Sequence, residues 1–236
     1  MKKRILILDF LFIIIVILGS AIYCNGQGRK VIKLNEDWKF TLVDKEIEYI
    51  NLTETSWKDV KIPHTWNNED IQLGNIVHYG TGWYKRDLIP ESTPMTIGAN
   101  KQYFLRFDGV GQYAEIYVNK KYVGEHLGSY SVFVFNITNF LDFDTTNSIL
   151  VKVNNELNDS YPKDNFLFGI YGGIYRDVSL IITNDMHIGL SDYASSGVYV
   201  HQEDVSTKNA SLKIVTNLIN ETSTKQVITI RNNFVS

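Results

Sequence analysis

Short apolar runs recur along this chain with their side chains alternating between apolar and polar, and that period leaves little room for any fold but an all-β one. In Gln102–Phe107, residues Tyr103, Leu105 and Phe107 fall on one face, with Phe104 and Arg106 on the other. Ala114, Ile116 and Val118 share a face opposite Glu115, and Ile149, Val151 and Val153 alternate with Lys152 and Asn154. Successive strand side chains point to opposite faces, so each run buries its apolar face only against a second layer. Trp38–Val43, Trp57–Ile62, Gly82–Ile89 and Asp177–Ile182 read as further strands. Asn119-Lys120-Lys121 reads as the turn of a hairpin that returns through Tyr122-Val123-Gly124. Ile137–Leu141 is expected to form one short helical turn, and no convincing amphipathic helix stands out. That many strands and so little helix predict a β-sandwich.

The first residues carry a different pattern. Lys2, Lys3 and Arg4 precede an apolar stretch from Phe10 to Leu18, followed by Gly19, Ser20 and Ala21. A positive head, a short apolar run and small residues make a secretory signal peptide, assigned to residues 1–26. The run is shorter than the roughly 20 residues of a membrane-spanning helix, so no retained span is expected. Cys24, the one cysteine of the chain, stands where a lipidated cysteine would stand, but Tyr23 before it departs from the small residue such processing uses. Export to the periplasm or the medium is expected, with lipid anchoring at Cys24 as the alternative. No disulfide is available, so the fold must rest on its core. With a net charge of −3 and no basic run beyond the leader, the chain offers no electrostatic footprint for nucleic acid.

A second set of strand signals follows Thr183-Asn184-Asp185: Gly197–Gln202, Ala210–Leu218 and Lys225–Asn232, with Asn220-Glu221-Thr222-Ser223 as a turn. Three or four strands are too few to close a sandwich of about seven. Residues 27–183 are therefore expected to form one sandwich, and residues 184–236 part of another.

Little of the sequence marks chemistry. The histidines at 64, 78, 126, 187 and 201 have no metal-ligand spacing, and no metal or cofactor is expected. Gly109-Val110-Gly111 lacks the third glycine of a dinucleotide fingerprint. The acidic pairs Glu69/Asp70, Asp142/Asp144 and Glu203/Asp204 read as solvated loop pairs rather than a hydrolytic couple. The segment Phe168-Gly-Ile-Tyr-Gly-Gly-Ile-Tyr-Arg-Asp-Val-Ser-Leu180 concentrates three glycines with Tyr171, Tyr175 and the Arg176-Asp177 pair. It is either a glycine-cornered entry to a core strand or a surface for a flat ligand such as a sugar ring. His64 and Trp66 in Pro63-His64-Thr65-Trp66, and Trp83 in Gly82-Trp83-Tyr84, carry the same two readings: a sugar-stacking face, or an indole that anchors the core, which is the favoured one.

These segments, in this order, resemble the amino-terminal portion of glycoside hydrolase family 2, the β-galactosidase, β-glucuronidase and β-mannosidase family. Ile62-Pro63-His64-Thr65-Trp66 is similar to its Pro-His-x-Trp, and Gly80-Thr81-Gly82-Trp83-Tyr84-Lys85-Arg86 to its Gly-x-Gly-Trp-Tyr-Arg-Arg. Leu105-Arg106-Phe107-Asp108-Gly109-Val110, the Ala114–Asn119 and Val123–His126 hairpin, Ser129–Phe133, Phe135-Asn136-Ile137-Thr138 and Gly172-Gly173-Ile174-Tyr175-Arg176-Asp177-Val178 complete the series. The similarity covers about residues 30 to 183.

The resemblance implies a galactose-binding-like jelly-roll domain followed by an immunoglobulin-like one, here incomplete. It implies the non-catalytic amino-terminal region of an exported, retaining glycoside hydrolase, most like a β-galactosidase. The two catalytic glutamates, with carboxyls about 5 Å apart, would belong to a (β/α)8 barrel missing from this chain. The expected partners are that barrel and a β-galactoside or related glycoside; the alternative is a stand-alone carbohydrate-binding module with Trp66, Trp83 and Tyr171 as an exposed platform. His64, Trp66, Trp83, Asp164, Asn165 and Tyr171 are the candidate sugar contacts, and Arg176 and Asp177 the structural pair of the motif. Three positions depart from the family pattern: Asn136 stands for Asp, Lys120 for the turn glycine, and Leu167 where some β-galactosidases place a substrate-contacting Asp.

Overall fold

A computed structural model describes residues 28–43, 56–89, 100–156, 158 and 171–233. The leader with Cys24, and the candidates Asp164 and Asn165 with Leu167, lie outside the described residues. Ten strands build two layers. They are β1 (Lys30–Lys33), β2 (Trp38–Val43), β3 (Lys58–Val60), β4 (Thr81–Leu88), β5 (Lys101–Phe107), β6 (Tyr113–Val118), β7 (Lys121–Leu127), β8 (Phe133–Asn136), β9 (Asn147–Asn154) and β10 (Val178–Asn184). One sheet runs β1-β10-β5-β8 and the other β3-β2-β4-β9-β6-β7, with every pairing antiparallel. The chain is all-β, a two-layer sandwich, as the alternation predicts.

The alternation also says which side chains meet between the layers. Tyr103, Leu105 and Phe107 of β5 and Val178, Leu180 and Ile182 of β10 enter the core from one sheet. Ala114, Ile116 and Val118 of β6, Ile149, Val151 and Val153 of β9, and Phe40, Tyr84 and Leu88 enter from the other. Burying each such side chain contributes about 1.5–3 kcal/mol, so this layer carries the stability that no disulfide supplies. Phe104 is a refinement. It faces away from the core, as its position in the alternation requires, yet it is 2% exposed because Ile181 and Leu190 close over it. The segment after β10 therefore folds back onto the outer side of the four-stranded sheet.

Turn chemistry agrees with the residues at the turns. Asn119 and Lys120 both take left-handed backbone angles, φ 50° and 67°, as a two-residue hairpin turn requires. Asn119 suits that region, whereas Lys120 is in a conformation that favours glycine. Asn136 does the work of the family's Asp: its Oδ1 accepts from the Thr138 amide at 2.9 Å, and the expected helical turn follows as a 3-10 turn over Thr138–Phe140. Two elements escape the sequence pattern: the edge strand β1, and helix α1 over Asn68–Leu73, six residues with no buried side chain.

Beyond β10 lie β11 (Met186–Ile188), β12 (Val198–Glu203), β13 (Ser211–Thr216) and β14 (Leu218–Asn220), paired β11 with β14 and β12 with β13. The expected strand over Lys225–Asn232 does not form. Among the described residues no strand lies alongside to take up its backbone hydrogen bonds, and Val227, Ile228 and Ile230 are exposed. The N-terminal end of the sandwich grips this second region. The Arg29 guanidinium donates to the carbonyls of Ile188 at 3.0 Å, Gly189 at 3.4 Å and Ser196 at 2.8 Å, and Arg106 donates to that of Ala194 at 3.4 Å.

Candidate functional site

The Pro-His-Thr-Trp segment and the Gly-Gly-Ile-Tyr segment, about a hundred residues apart in the chain, lie side by side at one end of the sandwich. The His64 amide donates to the Ile174 carbonyl at 2.8 Å, the Trp66 amide to that of Gly172 at 3.2 Å, and the Thr65 hydroxyl to that of Gly172 at 2.8 Å. This approach explains the paired glycines. A Cβ on Gly172 would sit inside the Trp66 indole, and Gly173, at φ 131°, would place one 2.6 Å from the Tyr84 hydroxyl.

Trp66 packs rather than presents. Its ring stacks on Phe40, centroids 5.8 Å apart and 15° between planes, and its Nε1 donates to the His78 carbonyl at 3.4 Å. His64 stands beside it, with Nδ1 2.7 Å from the Tyr84 hydroxyl and its ring 4.8 Å from that of Phe40. Partial burial disfavours the imidazolium and pulls the His64 pKa below the ordinary 6.5, while deep burial pushes the Tyr84 phenol up. The pair is thus a neutral hydrogen-bonded couple at neutral pH.

Trp83 requires a correction. It alternates to the outer face of the six-stranded sheet, where Trp57, Leu150 and Tyr117 close over it, and it is 2% exposed. An indole so enclosed offers no face to a pyranose ring, so the exposed platform of Trp66, Trp83 and Tyr171 does not exist. Tyr171, 40% exposed, is the exposed member, and Trp66 is partly buried.

Arg176 and Asp177 tie the segment to its neighbours. The Arg176 guanidinium lies 5.4 Å from the Tyr175 ring centroid and donates to the Tyr130 carbonyl at 3.3 Å, while the Tyr175 hydroxyl donates to the Ser129 carbonyl. Asp177 accepts from Lys33 at 2.8 Å and Asn35 at 2.9 Å, and those bonds hold its carboxyl below the usual range. It thereby fastens the edge strand β1 to the start of β10.

The residue that sequence reasoning passed over is Asn67. It is fully buried and uses its whole hydrogen-bonding capacity. Oδ1 accepts from the Gly172 amide at 2.7 Å and from Asn155 Nδ2 at 3.1 Å, and Nδ2 donates to Asp70 Oδ2 and to the His78 carbonyl, both at 2.8 Å. Asp70 also accepts from the amides of Ile71 at 2.7 Å and His78 at 2.9 Å. Burial alone would raise its pKa, but these bonds bring it net below the ordinary value. Asn155 completes the set, accepting from the Gly80 amide at 2.9 Å. The signal was present as Asn-Asn-Glu-Asp directly after the Trp66 motif, but only contacts across the chain distinguish Asn67 from Asn68 beside it.

Of the acidic pairs, Asp70 is committed to this network and Asp142 to capping the Asp144 amide at 3.0 Å. Among the described residues no three His, Cys, Asp or Glu side chains gather to hold a metal ion, and no helix is long and apolar enough to cross a membrane.

The two-sheet antiparallel sandwich defines an all-β domain, and comparison with known proteins gives its family. The family profile described as glycosyl hydrolases family 2, sugar binding domain, matches residues 31–184. The chain belongs to glycoside hydrolase family 2. It is 39% identical over 215 residues to a β-glucuronidase of Bacteroides fragilis, covering 89% of this chain and 28% of that protein. It is 28% identical over 205 residues to a β-galactosidase of Bacteroides ovatus, covering 83% and 22%. The crystal structure of a Bacteroides uniformis β-glucuronidase superposes with a TM-score of 0.65 at 34% identity, covering 79% of this chain and 22% of that one. The chain spans about a quarter of the length of the curated relatives it matches. It corresponds to their amino-terminal region.

Proposed function

We propose that this chain is the non-catalytic amino-terminal region of an exported, retaining glycoside hydrolase that removes a terminal β-linked sugar, a glucuronide or a galactoside. Its sandwich would be a jelly-roll sugar-binding domain over residues 27–183. Residues 184–236 would begin an immunoglobulin-like domain, and residues 1–26 would be a signal peptide. The observation that carries the reading is the match of a sugar-binding domain to nearly the whole sandwich in relatives about four times longer. The chemistry is compatible: among the described residues, Asp70 and Asp177 at this end are committed to structural hydrogen bonds. The domain's task is to buttress a catalytic barrel and to form one wall of its cleft with the end that carries His64, Trp66 and Tyr171. Purified residues 27–236 should leave nitrophenyl β-glucuronide and nitrophenyl β-galactoside uncleaved. Turnover above buffer that copurifies with the chain overturns the reading.

The stand-alone binding-module reading loses its main support with the burial of Trp83.

A further inference from the structure

The geometry points to Asn67 as a positioning residue for the cleft-side end of the sandwich: one amide group sets where Tyr171, the loop from α1 to Tyr79, and the end of β9 lie relative to one another. This rests on the proposed cleft-wall function, and goes beyond it by assigning the placement of that wall to a residue that need not touch sugar.

Three segments meet at Asn67. Gly172, next to the solvent-reaching Tyr171, is held through its amide. The loop from α1 to His78 is held through Asp70 and the His78 carbonyl. The end of β9 is held through Asn155, whose Nδ2 also donates to the His78 carbonyl at 3.2 Å. The end of β9 is fixed by its ladder and by Val153 in the core, but the core does not place the other two parts, because α1 buries no side chain and Tyr171 stands clear of the core. The polar network ties those two to the fixed end of β9.

The residue type follows from the partners. Gly172 N–H can only donate and the His78 carbonyl can only accept, so the group between them must present an acceptor and a donor in one plane. This also settles which terminal atom of the amide is oxygen. A carboxylate at position 67 would face the Asp70 carboxylate and the His78 carbonyl with no proton to offer either. An alanine would strand the Gly172 amide, a buried donor, at the cost of its desolvation.

The experiment compares the chain with Asn67→Asp, Asn67→Ala and the double variant Asn67→Asp/Asp70→Asn by amide hydrogen exchange. The exchange of Gly172 and His78 N–H should accelerate at least about tenfold in both single variants, while core amides at Leu105 and Ile116 change by less than about twofold. The double variant restores a donor between positions 67 and 70, and should recover part of the protection at Gly172 but not at His78, whose amide shares Asp70 Oδ2 with Asn67. Uniform acceleration of core and site amides, or unchanged Gly172, overturns the positioning role. Asn155→Ala removes the bonds to Asn67 Oδ1, the His78 carbonyl and the Gly80 amide but leaves the Asn67–Gly172 bond, and should give the same pattern more weakly at Gly172, which keeps the test decisive if Asn67→Ala fails to fold. In an enzyme that joins this chain to its barrel, Asn67→Asp should raise KM several-fold with kcat little changed, and the double variant should lower KM again. An altered exchange pattern with KM unchanged overturns the cleft-wall reading while leaving the network intact.

Discussion

The two regions of this chain are written in the same strand pattern and are buried very differently. In the sandwich, β5 and β6 place every inward side chain out of reach of water, with Tyr103, Leu105, Phe107, Ile116 and Val118 all inaccessible. In the second region, β12 and β13 pair over six residues in good register, yet Val200 remains 57% exposed and Leu212 43%. Hydrogen-bonded pairing therefore is not what makes the first region a domain. An antiparallel ladder aligns apolar side chains on a face, and only an opposing sheet removes that face from water. The first region has that sheet; among the described residues the second does not.

The sharpest way to break the comparison is to remove equivalent bulk from each region. Leu105→Ala should cost about 3–4 kcal/mol, through lost burial and a cavity that the interlocked core cannot close. Leu212→Ala should change stability by about 0.5 kcal/mol or less. Urea titration followed by tryptophan fluorescence reads Leu105→Ala, since Trp38, Trp66 and Trp83 all lie in the first region, and amide exchange along β12 and β13 reads Leu212→Ala. Equal effects would mean that the second region is covered in solution.

A smaller effect is expected where the regions are joined. Arg29→Ala deletes three bonds to carbonyls between Ile188 and Ser196, with a local cost of about 1 kcal/mol. Amide exchange at Gly189 and Gly197 should quicken while Leu105 stays protected. If Leu105 quickens equally, the two regions unfold as one unit, and the distinction between them fails.

The smallest expected difference is in pH dependence. His64 and His126 both have pKa values lowered by burial from the ordinary 6.5, and both belong to the first region. A depressed folded value means that the unfolded chain takes up the proton first. Stability is then fully present above about pH 6.5, and declines as pH falls toward the folded values. The melting temperature of the sandwich should drop modestly between pH 7 and pH 5.5, and His64→Phe should flatten part of that slope. A slope that His64→Phe leaves unchanged would assign the whole effect to His126 or to groups outside this couple.

Much of the sandwich was legible in the sequence because its signals are local. Alternation at β5, β6 and β9 gave each face correctly, Asn119 marked a turn through its left-handed backbone, and Asn136 one whose side-chain chemistry works within two residues. β1 escaped because four residues, Lys30 to Lys33, carry too little pattern to read. Lys225–Asn232 misled because an apolar run specifies a strand only when another strand accepts its hydrogen bonds. The sugar-stacking reading of Trp83 failed for a related reason: whether an outer face meets water depends on what else the chain lays over it. At the candidate end, the glycine pair and Trp66 were legible as landmarks, whereas Asn67 was not. Its significance consists of four partners, three of them supplied by residues Gly172, Asn155 and His78, well separated from it along the chain.

The amino-acid sequence by itself determined the β class, the strands of the core, the family, and the order of its motifs, because period-two alternation and turn residues act over a few positions at a time. Tertiary structure alone decided which aromatic rings are packed and which reach solvent, and which asparagine bonds Gly172, Asn155 and His78 at the glycine-cornered end. Burial and hydrogen-bond satisfaction belong to the arrangement of distant segments, and a side chain has neither until those segments meet.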